Sequence, residues 1–147
     1  MNASPDSPSC DQSVLDELWN QFENCTLPPL QFSHRLHLAM GWRCLRKHGF
    51  PEGVIEFEKR LRAYVESVGA SAKYHETVTW AYMVLMNEEM TLRSAPDEPF
   101  DLMIERRPDL LDHRSGALAQ CYPREQLDDA AARSVFVLPR QQQPRGS

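Results

Sequence analysis

The stretch from Val78 to Met86 constrains the fold more than any other, because almost none of its side chains is polar. A helix that is apolar on nearly all sides has to be buried on nearly all sides. We therefore predict that a helix beginning between Ser71 and His75 runs through this stretch and forms the centre of the molecule. Strand-like alternation of apolar and polar residues is almost absent from the chain, which favours an all-α fold.

Three other main helices are indicated by apolar residues at helical spacing and by residues suited to helix ends. The first is predicted over residues 11–24, where two prolines soon follow and stop it. The second is predicted from Ser33, a good N-cap residue, up to Gly49, which suits its C-terminal end. The third is predicted from Pro51, which suits a first helical position, to about Gly69.

The last third of the chain is less regular and is predicted to contain only short helices. The predicted pieces are a turn at 94–99, helices near 100–106, 109–121 and 123–134, and an apolar strap over Val135–Pro139 that lies back on the bundle. With 147 residues, 41% of them apolar, the chain is long enough for one core. The expected architecture is a single-domain helical bundle of about four main helices with short C-terminal helices packed on it. We expect this domain to span 11–139, between disordered segments at 1–10 and 140–147.

The composition argues against several classes of partner. A net charge of −5 and a pI near 5.5 give no basic face for nucleic acid or an anionic membrane. There is no apolar run of membrane-spanning length, and residues 1–8 lack the basic and apolar parts of a signal peptide. The four cysteines, at 10, 25, 44 and 121, are too far apart for a zinc ribbon and are expected to be free thiols. We therefore expect a cytoplasmic protein with a small-molecule substrate and no membrane or nucleic-acid partner, and a homodimer is left open.

Three of the five histidines lie in two short motifs. His34 and His37 are neighbours on one face at the start of the second predicted helix. His75 and Glu76 follow Tyr74 at the start of the fourth. Short connections make successive helices antiparallel, so helices two and four should run parallel with their first turns at one end. The three histidines and Glu76 are therefore expected to meet there.

This set suits one divalent transition metal, with iron favoured and zinc or copper as alternatives. The three histidines would be ligands, and Glu76 would be a fourth ligand or a general base. Tyr74 and Thr79 are expected to assist catalysis by orienting the substrate or the ligands. Each residue also has a structural interpretation, because a histidine near a helix start can cap it and a threonine can bond a backbone carbonyl.

The two motifs also give the chain a resemblance to other proteins. The sequences F-x-H-x-x-H-L at 32–38 and Y-H-E-T-x-T at 74–79 resemble a family of small, mostly uncharacterised bacterial all-α proteins. The resemblance covers residues 14–139, up to the Leu-Pro pair that ends this range. It implies a helical fold in which the two histidine motifs belong to one site.

The function that these residues favour is that of a small metal-dependent enzyme acting on a small molecule in a biosynthetic pathway, with an iron-dependent oxygenase or oxidase reaction as the first choice. A metal-assisted hydrolase or lyase is the first alternative, in which Glu76 takes a proton from bound water. A non-enzymatic accessory or regulatory protein with structural histidines is the second. Gly41 is expected to form the floor of the pocket or else to pack against helix four.

Overall fold

The computed structural model describes residues 12–140, in which the chain forms eight α-helices, three short 3-10 helices and no strand. The predicted all-α helical bundle is thereby confirmed. The predicted disordered segments, 1–10 and 140–147, lie outside the described residues except for Arg140, whose backbone N–H donates to the side chain of Gln126.

The helices are unequal in length, with four long ones followed by four short ones. They are α1 Gln12–Glu23, α2 His34–His48, α3 Glu52–Ser67, α4 Glu76–Leu92, α5 Phe100–Arg106, α6 Ala117–Cys121, α7 Arg124–Leu127 and α8 Ala130–Ser134. The 3-10 helices are Pro29–Gln31, Ser71–Lys73 and Pro108–Leu110. Of the helices within 12–140, none has the length and apolar character that crossing a bilayer requires.

Helix α2 begins and ends where its sequence predicts. The Ser33 hydroxyl accepts a hydrogen bond from the backbone N–H of Leu36 at 3.1 Å, which satisfies one of the free N–H groups of the first turn. Gly49 ends the helix with a φ of 76°, a conformation that residues with a Cβ adopt at a cost. Pro51 differs slightly from its prediction, because it is the residue before α3 and not the first residue of that helix.

Helix α2 packs against α3 and α4, and α4 also contacts α3, α6 and α8. Gly41 lies on the face of α2 that meets α4. A Cβ atom at this position would lie 2.6 Å from the sulfur of Met83, closer than such contacts allow. Gly41 is therefore a packing residue between the two helices.

A buried carboxylate connects α4 to the C-terminal third. Glu89 is completely buried and accepts hydrogen bonds from Arg106 at 2.5 Å, Arg107 at 3.0 Å and Arg93 at 3.1 Å. Burial raises the pKa of Glu89, but the bonds from Arg106 and Arg107 outweigh it, so the pKa lies below its ordinary value. Arg106 and Arg107 thus hold the region around α5 against the end of α4, while Arg93 bonds Glu89 within one turn of the end of α4.

Helix α5 matches the piece predicted at 100–106, whereas turns interrupt the other two predicted pieces, 109–121 and 123–134. Within the predicted helix 109–121, the Asp112 side chain accepts from the backbone N–H groups of Arg114 and Ser115, at 3.1 and 2.9 Å, which makes a turn. Gly116 follows, where a Cβ would lie 2.0 Å from the carbonyl oxygen of Asp109. Only α6 remains helical in this range after the 3-10 turn.

The segment Val135–Pro139 lies on the bundle, but polar contacts hold it there more than apolar burial does. Leu138 is 75% exposed and Val135 is 55% exposed. The Tyr122 hydroxyl donates to the carbonyl of Val137 at 2.7 Å, and the Gln126 amide donates to the carbonyl of Leu138 at 2.8 Å. Hydrogen bonds to its backbone therefore fix the strap, which apolar patterning could not predict.

Candidate functional site

A cavity of about 320 Å³ lies between α2, α3 and α4, and we refer to it as the interhelical cavity. Its walls are mainly apolar, with Phe32, Phe57, Leu61 and Met83 among them. Two exposed lining residues, Pro29 and Lys73, mark its rim. The volume is at the lower end of the range of roughly 300–1,000 Å³ that small-molecule pockets occupy.

The predicted site residues are brought to this cavity by the parallel arrangement of α2 and α4. Its lining includes His34, His37, Tyr74, His75 and Thr79. Glu76, the remaining predicted site residue, does not line it. The hydroxyl of Tyr64, also in the lining, donates to the carbonyl of Leu27 at 2.8 Å and fixes the connection that leads into α2.

His37 is held by aromatic packing and keeps its ring nitrogens free. Its imidazole stacks on Phe32 with ring centres 5.1 Å apart and meets the ring of Phe57 edge-on at 5.4 Å. No hydrogen-bond partner for the ring occurs within residues 12–140. Burial, aided by the nearby His34, lowers the pKa of His37 to about 4, so the imidazole is neutral at neutral pH.

His34 uses one ring nitrogen. Its Nε2 lies 2.9 Å from the carbonyl oxygen of Leu110, to which it donates, and this leaves Nδ1 as an acceptor. Burial lowers the pKa of His34 even though the bond to the carbonyl opposes this shift. The ring packs edge-on against Tyr82, with centres 5.0 Å apart.

Tyr82 brings a buried hydroxyl without a partner. The residue lines the cavity and is only 6% exposed, and no described group lies within hydrogen-bonding distance of its oxygen. Burial raises the pKa of Tyr82 to about 12, which keeps the hydroxyl protonated. A buried hydroxyl left unpaired costs about 1–3 kcal/mol. A ligand that accepts a hydrogen bond from it would recover this free energy on binding.

His75 differs from the other two histidines because both of its ring nitrogens are engaged. It is the N-cap of α4, where Nδ1 accepts from the backbone N–H of Val78 at 3.2 Å. Its Nε2 donates to the carbonyl of Leu127 at 2.7 Å. Helix capping is the alternative to metal binding that the sequence offers for such a histidine, and the structure shows His75 as a cap.

Glu76 belongs to a polar cluster beside the cavity. It accepts from the Tyr74 hydroxyl at 2.6 Å and lies 3.4 Å from the guanidinium of Arg62, which also contacts Glu58 at 3.3 Å. Burial and the neighbouring Glu58 raise the pKa of Glu76. Burial also raises the pKa of Tyr74, whose ring is covered by Arg62 at 4.2 Å. Tyr74 thus joins this cluster to the cavity wall.

Thr79 and Cys44 have structural surroundings. The Thr79 hydroxyl donates to the carbonyl of His75 at 2.8 Å within the same helix. Cys44 is buried outside the cavity lining, and burial raises the pKa of its thiol to about 12. A thiol in this state behaves as a small apolar group.

The predicted four-ligand metal set does not fit this arrangement. Metal coordination would require His75 to give up either its helix cap or its bond to Leu127. Glu76 would have to leave Tyr74 and Arg62. In the part of the chain that the structure describes, no three His, Cys, Asp or Glu side chains are placed to share an ion.

Two features of the site were not predicted from the sequence. Only the limits of the third helix were predicted, whereas Phe57, Leu61 and Val65 of α3 line the cavity. Lys73 was not singled out, although its position just before the Tyr74 motif places it on the rim.

No protein family, curated protein sequence or solved structure matches the chain.

Proposed function

We propose that the protein is an enzyme that binds a small, mainly apolar molecule in the interhelical cavity and transfers a proton at a polar group of that molecule. The observation that supports this most is the neutral His37 imidazole, which has no hydrogen-bond partner in the described part of the chain and lines an apolar cavity. A neutral imidazole can accept a proton and return it. The unpaired Tyr82 hydroxyl would donate a hydrogen bond to the same substrate group.

The other side chains of the lining favour proton transfer over covalent catalysis. The described lining residues include no Ser, Cys, Asp or Glu. The Thr79 hydroxyl is bonded to a backbone carbonyl, and Lys73 lies on the exposed rim. Activated nucleophiles need a base within hydrogen-bonding reach, and neither residue has one in the described contacts. Imidazole and phenol groups are therefore the reactive groups that the cavity offers.

Binding is tested with phenylbutanol, a neutral molecule with an apolar body and one hydroxyl. We expect it to bind to the wild type and to shift the ring resonances of His37 in NMR spectra. Val78→Phe, which adds bulk to a cavity-lining residue, should abolish binding. Val84→Phe is the matched control on the exposed side of the same helix, where the valine is 39% exposed, and should bind normally.

Catalysis is tested with nitrobenzisoxazole, whose ring opens when a base removes the C–H proton next to the ring nitrogen. The N–O bond breaks as the C–N bond becomes a nitrile, and a cyanophenolate is released and absorbs light. We expect the wild type to exceed the buffer rate and His37→Phe to lose this excess, while His48→Phe, at an exposed position outside the cavity lining, keeps it. If the wild type binds phenylbutanol but does not open the ring faster than buffer does, the catalytic part of the proposal is overturned. The protein would then be a non-enzymatic binding protein.

A metal-dependent oxidation, hydrolysis or lyase reaction is the second candidate, and iron, zinc or copper remains the expected ion. Its support is that burial lowers the pKa of both His34 and His37, which keeps their imidazoles unprotonated and able to bind a metal. Water or substrate would have to complete such a site. Elemental analysis of untagged protein should find about one ion per chain, absent from His34→Ala and His37→Ala, if this candidate holds. Metal-free protein that accelerates the ring opening would overturn the metal-dependent candidate.

A further inference from the structure

The charged side chains that line the interhelical cavity are of one sign. Lys73 is the lining residue with a permanently ionised side chain, and the described lining includes no acidic residue. The chain as a whole has a net charge of −5, so the charge that lines the cavity has the opposite sign to the net charge of the molecule. A cleft with apolar walls and one sign of charge concentrates ligands of the other sign.

The ammonium group of Lys73 is available for a ligand. Lys73 ends the 3-10 turn Ser71–Lys73, its side chain is exposed, and no carboxylate within 12–140 forms an ion pair with it. The other cation beside this turn is Arg133, which donates to the carbonyl of Ala72 at 3.1 Å and adds positive charge near the rim. Arg62, by contrast, is already neutralised by Glu58 and Glu76.

Two groups deeper in the cavity point to a ligand that accepts hydrogen bonds. The Tyr82 hydroxyl is buried without a partner, and it is a donor when protonated. The first turns of α2 and α4 also border the cavity, and the positive ends of helix dipoles favour negative charge. Beyond these groups the lining is apolar along α3 and the facing side of α4.

We infer that the natural ligand is a small monocarboxylic acid with an apolar body, whose carboxylate is held at the rim by Lys73 while a second polar group on that body reaches Tyr82 and His37 deeper in the cavity. This inference names the substrate class of the proposed function and rests on it. A charge-assisted bond to an ammonium group is about twice as strong as a neutral hydrogen bond, which makes Lys73 the residue that selects acids over alcohols.

The test compares phenylbutyrate with phenylbutanol, which share one apolar body and differ in the charged end. Calorimetry at neutral pH should show the acid binding about two- to fivefold more tightly than the alcohol to the wild type. Lys73→Gln should remove this preference without weakening the alcohol, and Lys73→Arg should retain it. Lys59→Gln makes the same charge change on an exposed part of α3 that does not line the cavity, and should leave both affinities unchanged.

The outcomes separate this inference from the proposed function. Equal affinities for the two compounds, or an undiminished preference in Lys73→Gln, would overturn the monocarboxylate inference while the cavity still binds the alcohol. If neither compound binds, the proposed function fails and the inference fails with it.

Discussion

At the scale of single residues, the three cavity histidines differ in how many ring nitrogens the fold already uses. His75 uses both, His34 uses one, and His37 uses none within the described contacts. The same side chain thus serves as a helix cap, as a link to a distant carbonyl and as a free polar group in an apolar wall. This difference makes His37 the residue most open to a ligand.

The low pKa of His37 predicts a specific dependence of stability on pH. Its pKa is about 4 in the folded protein against 6.5 ordinarily, so the unfolded chain binds more protons between these values. The free energy of unfolding should therefore reach its full value above pH 6.5 and fall as the pH drops towards 4. At about 1.4 kcal/mol per pKa unit, the loss amounts to up to about 3 kcal/mol. His37→Phe keeps an aromatic ring beside Phe32, and urea unfolding at several pH values should show it gaining stability relative to wild type through this window.

The control for this measurement is Tyr64→Phe, which changes another aromatic residue of the cavity lining and removes no group that titrates between pH 4 and 6.5. Its stability should differ from that of the wild type by a constant amount across this pH range. A parallel curve for His37→Phe as well would show that His37 titrates normally in the folded protein.

Two buried tyrosines of the cavity should respond oppositely to loss of the hydroxyl. The Tyr64 hydroxyl donates to the carbonyl of Leu27, so Tyr64→Phe should lose about 1 kcal/mol of unfolding free energy and leave that carbonyl unpaired. The Tyr82 hydroxyl has no partner in the described structure, so Tyr82→Phe should be neutral or stabilising by up to about 1 kcal/mol. Urea unfolding of both variants compares them directly. Equal losses would mean that the Tyr82 hydroxyl is paired in solution.

The location of the histidines could be predicted from sequence, but their chemical state could not. Capping signals and short connections were enough to place the starts of α2 and α4 at one end of the bundle. Whether a ring nitrogen is free depends on Leu110 and Leu127, which lie far along the chain. The contacts of Glu76 could not be predicted for a similar reason, because Arg62 on another helix contacts it.

At the scale of helices, the contact between α2 and α4 depends on Gly41. Ala is favoured over Gly inside a helix by about 0.5–1 kcal/mol, but its Cβ would press on the Met83 sulfur. The Met83 side chain can move, and it lines the cavity, so it should shift into that space. Gly41→Ala should therefore have nearly wild-type stability but bind phenylbutanol more weakly.

A shift of Met83 cannot make room for a side chain much larger than that of Ala at position 41. Gly41→Leu should lose about 1–3 kcal/mol by overfilling the interface, measured as a lower melting temperature. Ala63→Leu adds similar bulk at an exposed position of α3 and should leave both stability and binding unchanged. A stable Gly41→Leu with normal binding would contradict the close packing of α2 against α4.

The helices that sequence predicted well are those with both a periodic apolar face and a distinct end. Ser33 and Gly49 gave α2 its limits because a capping hydroxyl and a left-handed residue act locally. In the last third, α6, α7 and α8 are too short for a clear period. Their limits depend on local turns such as the one at Asp112, so the short helices predicted at 109–121 and 123–134 are interrupted.

At the scale of the whole molecule, the C-terminal third is attached to α4 at several points. Glu89 holds Arg106 and Arg107 at one end of α4, and the Thr77 hydroxyl accepts from the backbone N–H of Val137 at the other. Such contacts between distant parts of the sequence cannot be deduced from periodicity. The bundle could therefore be predicted, but the way its last third is fixed could not.

The Glu89 cluster predicts a large loss of stability from a small change. Glu89→Gln keeps the size of the side chain but removes the charge that neutralises three arginines. Hydrogen bonds to a charged group contribute about 1.5–3 kcal/mol, and because the arginines are partly exposed, urea unfolding should show a loss of this size. Glu105→Gln, at an exposed position on α5, is the control and should be nearly neutral. A similar small loss in both would show that solvent reaches Glu89.

The bonds from His34 and His75 to the C-terminal third also set an order of events during synthesis. A chain leaves the ribosome from its N-terminus, so α1 to α4 emerge before Leu110 and Leu127. Until those residues appear, the Nε2–H groups of both histidines lack their carbonyl partners. The nascent chain can thus form the helices around the cavity early, but two of the cavity histidines are fixed in place only when translation has nearly ended.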